Sequence, residues 1–122
     1  MIIDIENIKT ALLKGELDTL ECKRAKSEVP KSVWETYSAF ANTIGGIILL
    51  GIEENRKATD VKKRFQIIGV DDAQKIVNDF WNTINSDKVN ENILSSNDVD
   101  TVKIDGVQIV CIHVPQADWR IK

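Results

Sequence analysis

Three carboxylates have the residue type and spacing to do chemistry. Glu16 and Glu21 stand five residues apart, and Glu53 follows an apolar run that reads as a strand. If the strand carrying Glu21 pairs with the strand that ends near Glu53, these two meet at one sheet edge, and Glu16 reaches over from the preceding loop. Clustered carboxylates repel one another unless a divalent cation lies between them, and hard oxygen ligands of this kind suit Mg²⁺ or Mn²⁺. Such an ion activates water or polarises a phosphodiester. The same spacing accommodates a plainer arrangement, in which Glu21 pairs with Lys23 on its own strand face while Glu16 and Glu53 are solvated.

A second candidate is the helix-to-strand junction at residues 39–46, Ala-Phe-Ala-Asn-Thr-Ile-Gly-Gly. Adjacent glycines permit positive φ and close backbone approach, so N–H groups around Asn42, Thr43, Gly45 and Gly46 could meet a phosphate. The plainer reading is a helix stop, with Asn42 satisfying loop backbone groups. The segment is not a Walker loop, because no Gly-Lys-Ser/Thr follows, and it lacks the dinucleotide fingerprint. Basic residues gather at Lys23, Arg24, Lys26 and Lys31 and again at Arg56, Lys57, Lys62, Lys63 and Arg64. Each group reads either as a phosphate-contacting patch or as a solvated charged loop.

The remaining reactive side chains are poorer candidates. His113 is the single histidine, between Ile112 and Val114, and reads as a hydrogen-bonded strand residue. Cys22 and Cys111 lie in apolar strand-like runs without Cys-x-x-Cys spacing, so they read as small buried hydrophobes. Trp34 and Trp81 fall within helical segments and read as core.

The elements that would position these residues are legible in the apolar periodicity. Ile5, Ile8 and Leu12 behind Asp4 predict a helix over 4–14, closed by Gly15. Thr19 to Ala25 alternates as a strand, with Leu20 and Cys22 on one face and Glu21 and Lys23 on the other. A second helix begins after Pro30, where Ser32 and Glu35 have capping-box spacing; Val33, Tyr37, Phe40, Ala41 and Ile44 form its apolar face, and Gly45–Gly46 end it. Ile47 to Ile52 is apolar on both faces, as in a central strand, and 53–64 reads as an exposed loop. Phe65 to Val70 reads as a further strand of the same sheet. Asp71 or Asp72 caps a third helix whose Ile76, Val77, Phe80, Trp81 and Ile84 face inward. A polar loop over 85–97 leads to two strands, Val99–Ile104 and Val107–Val114, joined at Asp105–Gly106 as a hairpin.

Composition narrows the classes. With 122 residues and 43% hydrophobic side chains, the chain suits one compact domain. No apolar run approaches the length of about 20 residues that spans a bilayer, and the start lacks a signal-peptide layout, so a soluble, cytoplasmic protein without membrane association is expected. The net charge of −3 argues against a uniformly basic binder. The balance is uneven: eleven basic residues against ten acidic ones in 1–70, and five against nine in 71–122.

The order Glu-Cys-Lys (21–23), Ala-Phe-Ala-Asn-Thr-Ile-Gly-Gly (39–46), Leu-Leu-Gly-Ile-Glu-Glu (49–54), Ile-Gly-Val (68–70) and Ile-His-Val-Pro (112–115) resembles the Schlafen AlbA-type domain over nearly the whole chain. The resemblance implies an α/β DNA-binding domain of the kind found in transcriptional regulators, often beside helicase-like or winged-helix segments. Animal Schlafen proteins use a related domain to cleave transfer and ribosomal RNA with three acidic residues and a divalent metal. The resemblance maps those acids onto Glu16, Glu21 and Glu53, with Glu at a third position that is usually Asp. The animal enzymes join two such lobes, so an equivalent cleft here implies a homodimer.

The expectation is therefore a single α/β domain over 1–122, with a mixed central β-sheet and about three helices, forming the N-terminal part of a longer protein with an attached C-terminal domain. Its expected function is nucleic-acid binding, to DNA or RNA, within a transcriptional regulator. The expected contacts are Lys23, Arg24, Lys26, Asn42, Thr43, Gly45, Gly46, Lys62, Lys63 and Arg64, with no cofactor. The enzyme alternative is a Mg²⁺- or Mn²⁺-dependent endoribonuclease using Glu16, Glu21 and Glu53. A third alternative is a ligand- or protein-sensing domain without nucleic-acid affinity, which accords with the acidic net charge.

Overall fold

The computed structural model describes residues 20–55, 57, 59, 65–85, 94, 98–104 and 106–117. Along the chain these form β1 (Leu20–Lys23), α1 (Ser32–Ala41), β2 (Gly46–Leu50), β3 (Ile52–Glu54), β4 (Phe65–Ile67), α2 (Ala73–Ile84), β5 (Val99–Ile104) and β6 (Val107–Val114). Four strands make one sheet in the order β1-β2-β6-β5, and β3 and β4 make a separate two-stranded sheet. β1 and β2 run parallel, as expected of strands joined through a helix, while β2–β6 and β5–β6 are antiparallel. The sheet is mixed and the class is α/β. Two helices lie among the described residues; the helix expected over 4–14 falls outside them.

The strand periodicity explains the layering. Ile48 and Leu50 of β2, with Val110, Ile112 and Val114 of β6, pack with Val33, Tyr37 and Ala41 of α1 and Ile76, Phe80 and Ile84 of α2. Leu49 faces the other way and packs with Leu20, Cys22, Ile109 and Cys111. Ile48, Leu49 and Leu50 are all fully buried, which is the property that made this run read as central.

α2 follows the sequence closely. Asp72 is its N-cap and its side chain accepts the Lys75 backbone N–H at 3.1 Å. Phe80 stacks on Trp34 of α1, with centroids 5.2 Å apart and planes 18° apart, and meets Trp81 edge-on. These tryptophans are core-packing residues, as their helical positions indicated.

α1 starts differently from expectation. Its N-cap is Lys31, without a side-chain cap bond, and the first turn closes through Val33 N–H to Pro30 O at 3.1 Å. Ser32 is not the cap; its hydroxyl accepts a bond from Lys23 Nζ instead. The helix ends at Ala41, so Ile44 lies in the following turn at 73% exposure rather than on the apolar face.

The largest departure is at Gly51. The run expected as one strand, Ile47 to Ile52, breaks there at φ +106°, and Ile52–Glu54 pairs with Phe65–Ile67 away from the main sheet. Phe65–Val70 is therefore not a fifth strand of that sheet, and Glu53 and Glu54 belong to a strand rather than a loop. Gly51 O accepts N–H bonds from Ile68 and Gly69, and Gly51 N–H donates to Lys23 O at 2.9 Å. A side chain at Gly51 would crowd the Gly69 backbone at 3.1 Å, and one at Gly69 would meet Val107 Cβ at 2.9 Å. Two glycines at close approach let the chain leave the sheet at this point.

Candidate functional site

The parallel pairing of β1 with β2 places Lys23 opposite Leu50, at the carboxyl end of both strands. The chain continues from this end through Arg24, Lys26 and Lys31 into the N-terminus of α1, so four basic side chains share one end of the fold with a positive helix pole. Lys23 Nζ donates to Ser32 Oγ at 3.1 Å, tying the strand end to the first residue of α1. Arg24, Lys26 and Lys31 are exposed. The loop between β1 and α1 is tied to the start of α2 and the residue before its cap: Asp71 N–H donates to Lys26 O at 2.9 Å, and Lys75 Nζ donates to Ser27 O at 2.7 Å. Glu53 of β3 adjoins the basic end, with Oε1 at 3.8 Å from a guanidinium nitrogen of Arg24.

The glycine-containing turn lies elsewhere. Gly46 opens β2 opposite Val114, at the end remote from Leu50 and Lys23. Four residue steps of strand separate Gly46 from Leu50, about 13 Å, so Lys23 and the 42–46 turn do not meet at one phosphate. The N–H groups of Asn42, Thr43 and Gly45 donate to Ser38 O, Phe40 O and Phe40 O, and Thr43 Oγ1 donates to Ala39 O at 2.8 Å. A Cβ at Gly45 would meet Val114 O at 2.7 Å, and one at Gly46 would enter the Phe40 ring at 2.7 Å. The turn is a helix stop packed against the end of β6. It also sits at the negative pole of α1, where an anion is disfavoured.

A family model described as Schlafen, AlbA_2 matches residues 16–121. The chain belongs to that family. The Schlafen AlbA_2 domain is also similar to the solution NMR structure of the N-terminal domain of a protein from Nitrosomonas europaea described as related to the ATP-dependent DNA helicase RecG. The two are 29% identical, with a TM-score of 0.68, and the match covers 93% of this chain and 76% of that one. No curated protein matches.

Two of the three acids mapped by the family resemblance are described in this Schlafen AlbA_2 domain. Glu21 sits at the register level of Ile48, and its strand alternation matches expectation, with Leu20 and Cys22 buried on the opposite face. Glu53 lies beyond the Gly51 kink and contacts Arg24. Glu16 lies outside the described residues, as do Arg56, Lys62, Lys63 and Arg64. Among the described residues, no group of three His, Cys, Asp or Glu side chains is arranged to hold a metal ion.

The remaining reactive residues have structural roles. His113 Nδ1 lies 3.0 Å from Asp98 Oδ1, and Asp98 is 9% exposed. Cys22 and Cys111 are both free and buried. Each flanks Leu49 in one row across three strands, which puts their Cα atoms about 9–10 Å apart and beyond the range of about 7 Å that a disulfide bridges. Burial, with help from Glu54 and Glu21, pushes the Cys22 thiol up to about 12. Burial, then Asp100 and Cys22, pushes Cys111 up to about 12. No helix among the described residues is long and apolar enough to cross a membrane. Sequence reasoning missed Asp98 as the histidine's partner, and it missed Gly51 and Gly69; the single signal for the latter was glycine interrupting apolar runs.

Proposed function

We propose that this domain is a nucleic-acid-binding module that grips backbone phosphates at the carboxyl end of β1, through Lys23, Arg24 and Lys26. The observation that carries the reading is the gathering of these side chains at the end of a parallel strand pair, beside the positive pole of α1. In the sequence, Arg56, Lys57, Lys62, Lys63 and Arg64 fall between β3 and β4, and they are the second basic group proposed to contact phosphate. Family membership and the similarity to the N-terminal domain of a DNA-helicase-related protein support this reading. A cytoplasmic transcriptional regulator is the context in which such a module would serve. Contacts to phosphate rather than to base edges would make binding strongly salt-dependent and weakly sequence-dependent. Asn42, Thr43, Gly45 and Gly46 would contribute at most a separate contact through the exposed Asn42 side chain.

The test is retention of the domain on duplex DNA and on transfer RNA across a salt series, for the native chain and for charge reversals at Lys23 and Lys26 and at Lys62, Lys63 and Arg64. The reading expects salt-dependent retention that both variants weaken. Absence of retention at low salt would overturn it and favour a sensing domain. Cleavage of the RNA that requires Mn²⁺ and disappears in Glu21→Gln would favour the nuclease.

A further inference from the structure

We infer that Glu53 is an intramolecular stand-in for phosphate: it holds Arg24 when no ligand is bound and yields it to the nucleic-acid backbone on binding. The inference rests on the nucleic-acid reading above and assigns the regulation of that site.

The pair is placed by backbone on both sides. Arg24 immediately follows β1, and the last residue of β1, Lys23, accepts the Gly51 N–H at 2.9 Å. Gly51 in turn binds Ile68 and Gly69 through its carbonyl, and Glu53 is locked in register with Gln66. Glu53 therefore starts from a fixed strand, whereas Arg24 starts from the loop that follows β1. The guanidinium presents a planar donor fork that accepts a carboxylate or a phosphate in the same geometry. The contact is 3.8 Å long and its side chains are 63% and 45% exposed, so it is a loose, hydrated ion pair. A polyanion that engages Lys23 and Lys26 at the same time can displace such a carboxylate at small cost. The acidic partner also lowers the net charge of the basic end in the free protein, so Glu53 opposes weak non-specific anion binding.

The experiment is a double-mutant cycle on binding of the whole chain to a labelled duplex DNA, in chelator so that no metal-dependent step intrudes. The expected result is that Glu53→Gln binds about two- to fivefold more tightly than the native chain, with a salt slope steeper by up to about one counterion. In an Arg24→Ala background the same substitution should gain markedly less, because the competition needs the guanidinium. Thermal melting of each variant confirms that the fold is retained; both side chains are exposed, so little change is expected. Unchanged or weaker binding of Glu53→Gln overturns the inference, and so does an equal gain in both backgrounds, which would reduce Glu53 to a general repulsive charge. If the native chain itself does not bind, the nucleic-acid reading is what has failed, and this inference falls with it.

Discussion

The N–H of Gly69 donates to the carbonyl of Gly51 at 2.8 Å, and both residues hold positive φ, +77° and +106°. This contact is where the chain leaves the four-stranded sheet and where the β3–β4 pair returns, so it sets the position of Glu53 relative to Arg24. Gly69→Ala combines a left-handed backbone with a Cβ at 2.9 Å from Val107 Cβ, and should cost about 2–4 kcal/mol. Gly106→Ala shares the positive φ but meets nothing within 4 Å, and should cost about 1 kcal/mol. Urea unfolding midpoints of the two variants check the order; equal losses would show that crowding at Gly69 is relieved elsewhere.

The pairing of His113 with the buried Asp98 predicts a stability effect from a single side chain. Replacing His113 by Phe removes the 3.0 Å contact from a carboxylate that is 9% exposed. The expected loss is about 1–3 kcal/mol, read by denaturant unfolding at neutral pH. Asp98→Asn, which keeps an acceptor for the ring, should lose less. If both variants match the native chain, the contact carries no net stability.

The two thiols predict behaviour at alkaline pH. Each has its pKa raised from an ordinary 9.0 to about 12 by burial. Above pH 9 the unfolded chain loses these protons while the folded chain keeps them, so the folded state holds more protons and its stability falls as pH rises. The slope is at most about 1.4 kcal/mol per pH unit for each thiol, through a window from about 9 to about 12. Unfolding midpoints measured across that window should decline less steeply in Cys22→Ala than in the native chain. At neutral pH both thiols should resist alkylation until the protein is unfolded; rapid labelling of the native chain would contradict their burial.

The separation of the basic end from the glycine-containing turn predicts a ranking of binding effects. Lys26→Glu should weaken nucleic-acid retention about tenfold or more at low salt and reduce the salt slope. Asn42→Ala, in a turn whose N–H groups already donate to helix carbonyls, should change retention less than twofold, an energy below about 0.4 kcal/mol. Filter binding over a salt series distinguishes them, and a larger loss in Asn42→Ala would relocate the phosphate contact to that turn.

Local periodicity was enough for several elements. Asp72 followed by Ile76, Phe80 and Ile84 specifies α2 by its cap and its apolar stripe. The strands on either side of Asp105–Gly106 read correctly to the residue, because a two-residue hairpin fixes its own register from Ile104 opposite Val107. The alternation of Leu20 and Cys22 against Glu21 and Lys23 gave the correct faces of β1. In each case the information lies within one helix turn, one strand or one tight turn.

The break at Gly51 and the composition of the site were decided in three dimensions. An apolar run through Ile52 is compatible with one long strand, and the close approach of Gly69 to Gly51, where the backbone turns to positive φ, is where Ile52–Glu54 leaves the four-stranded sheet to pair with Phe65–Ile67. Ser32 has cap spacing, yet its hydroxyl takes Lys23 Nζ, a residue brought near by the crossover from β1. Lys23 and the 42–46 turn both look suited to a phosphate, but the parallel register sets them at opposite ends of β2. Residue types and short-range spacing were therefore written in the sequence, whereas which of them share a surface depended on strand register and on where the chain leaves the sheet, since pairing partners far apart in the chain leave no trace in local periodicity.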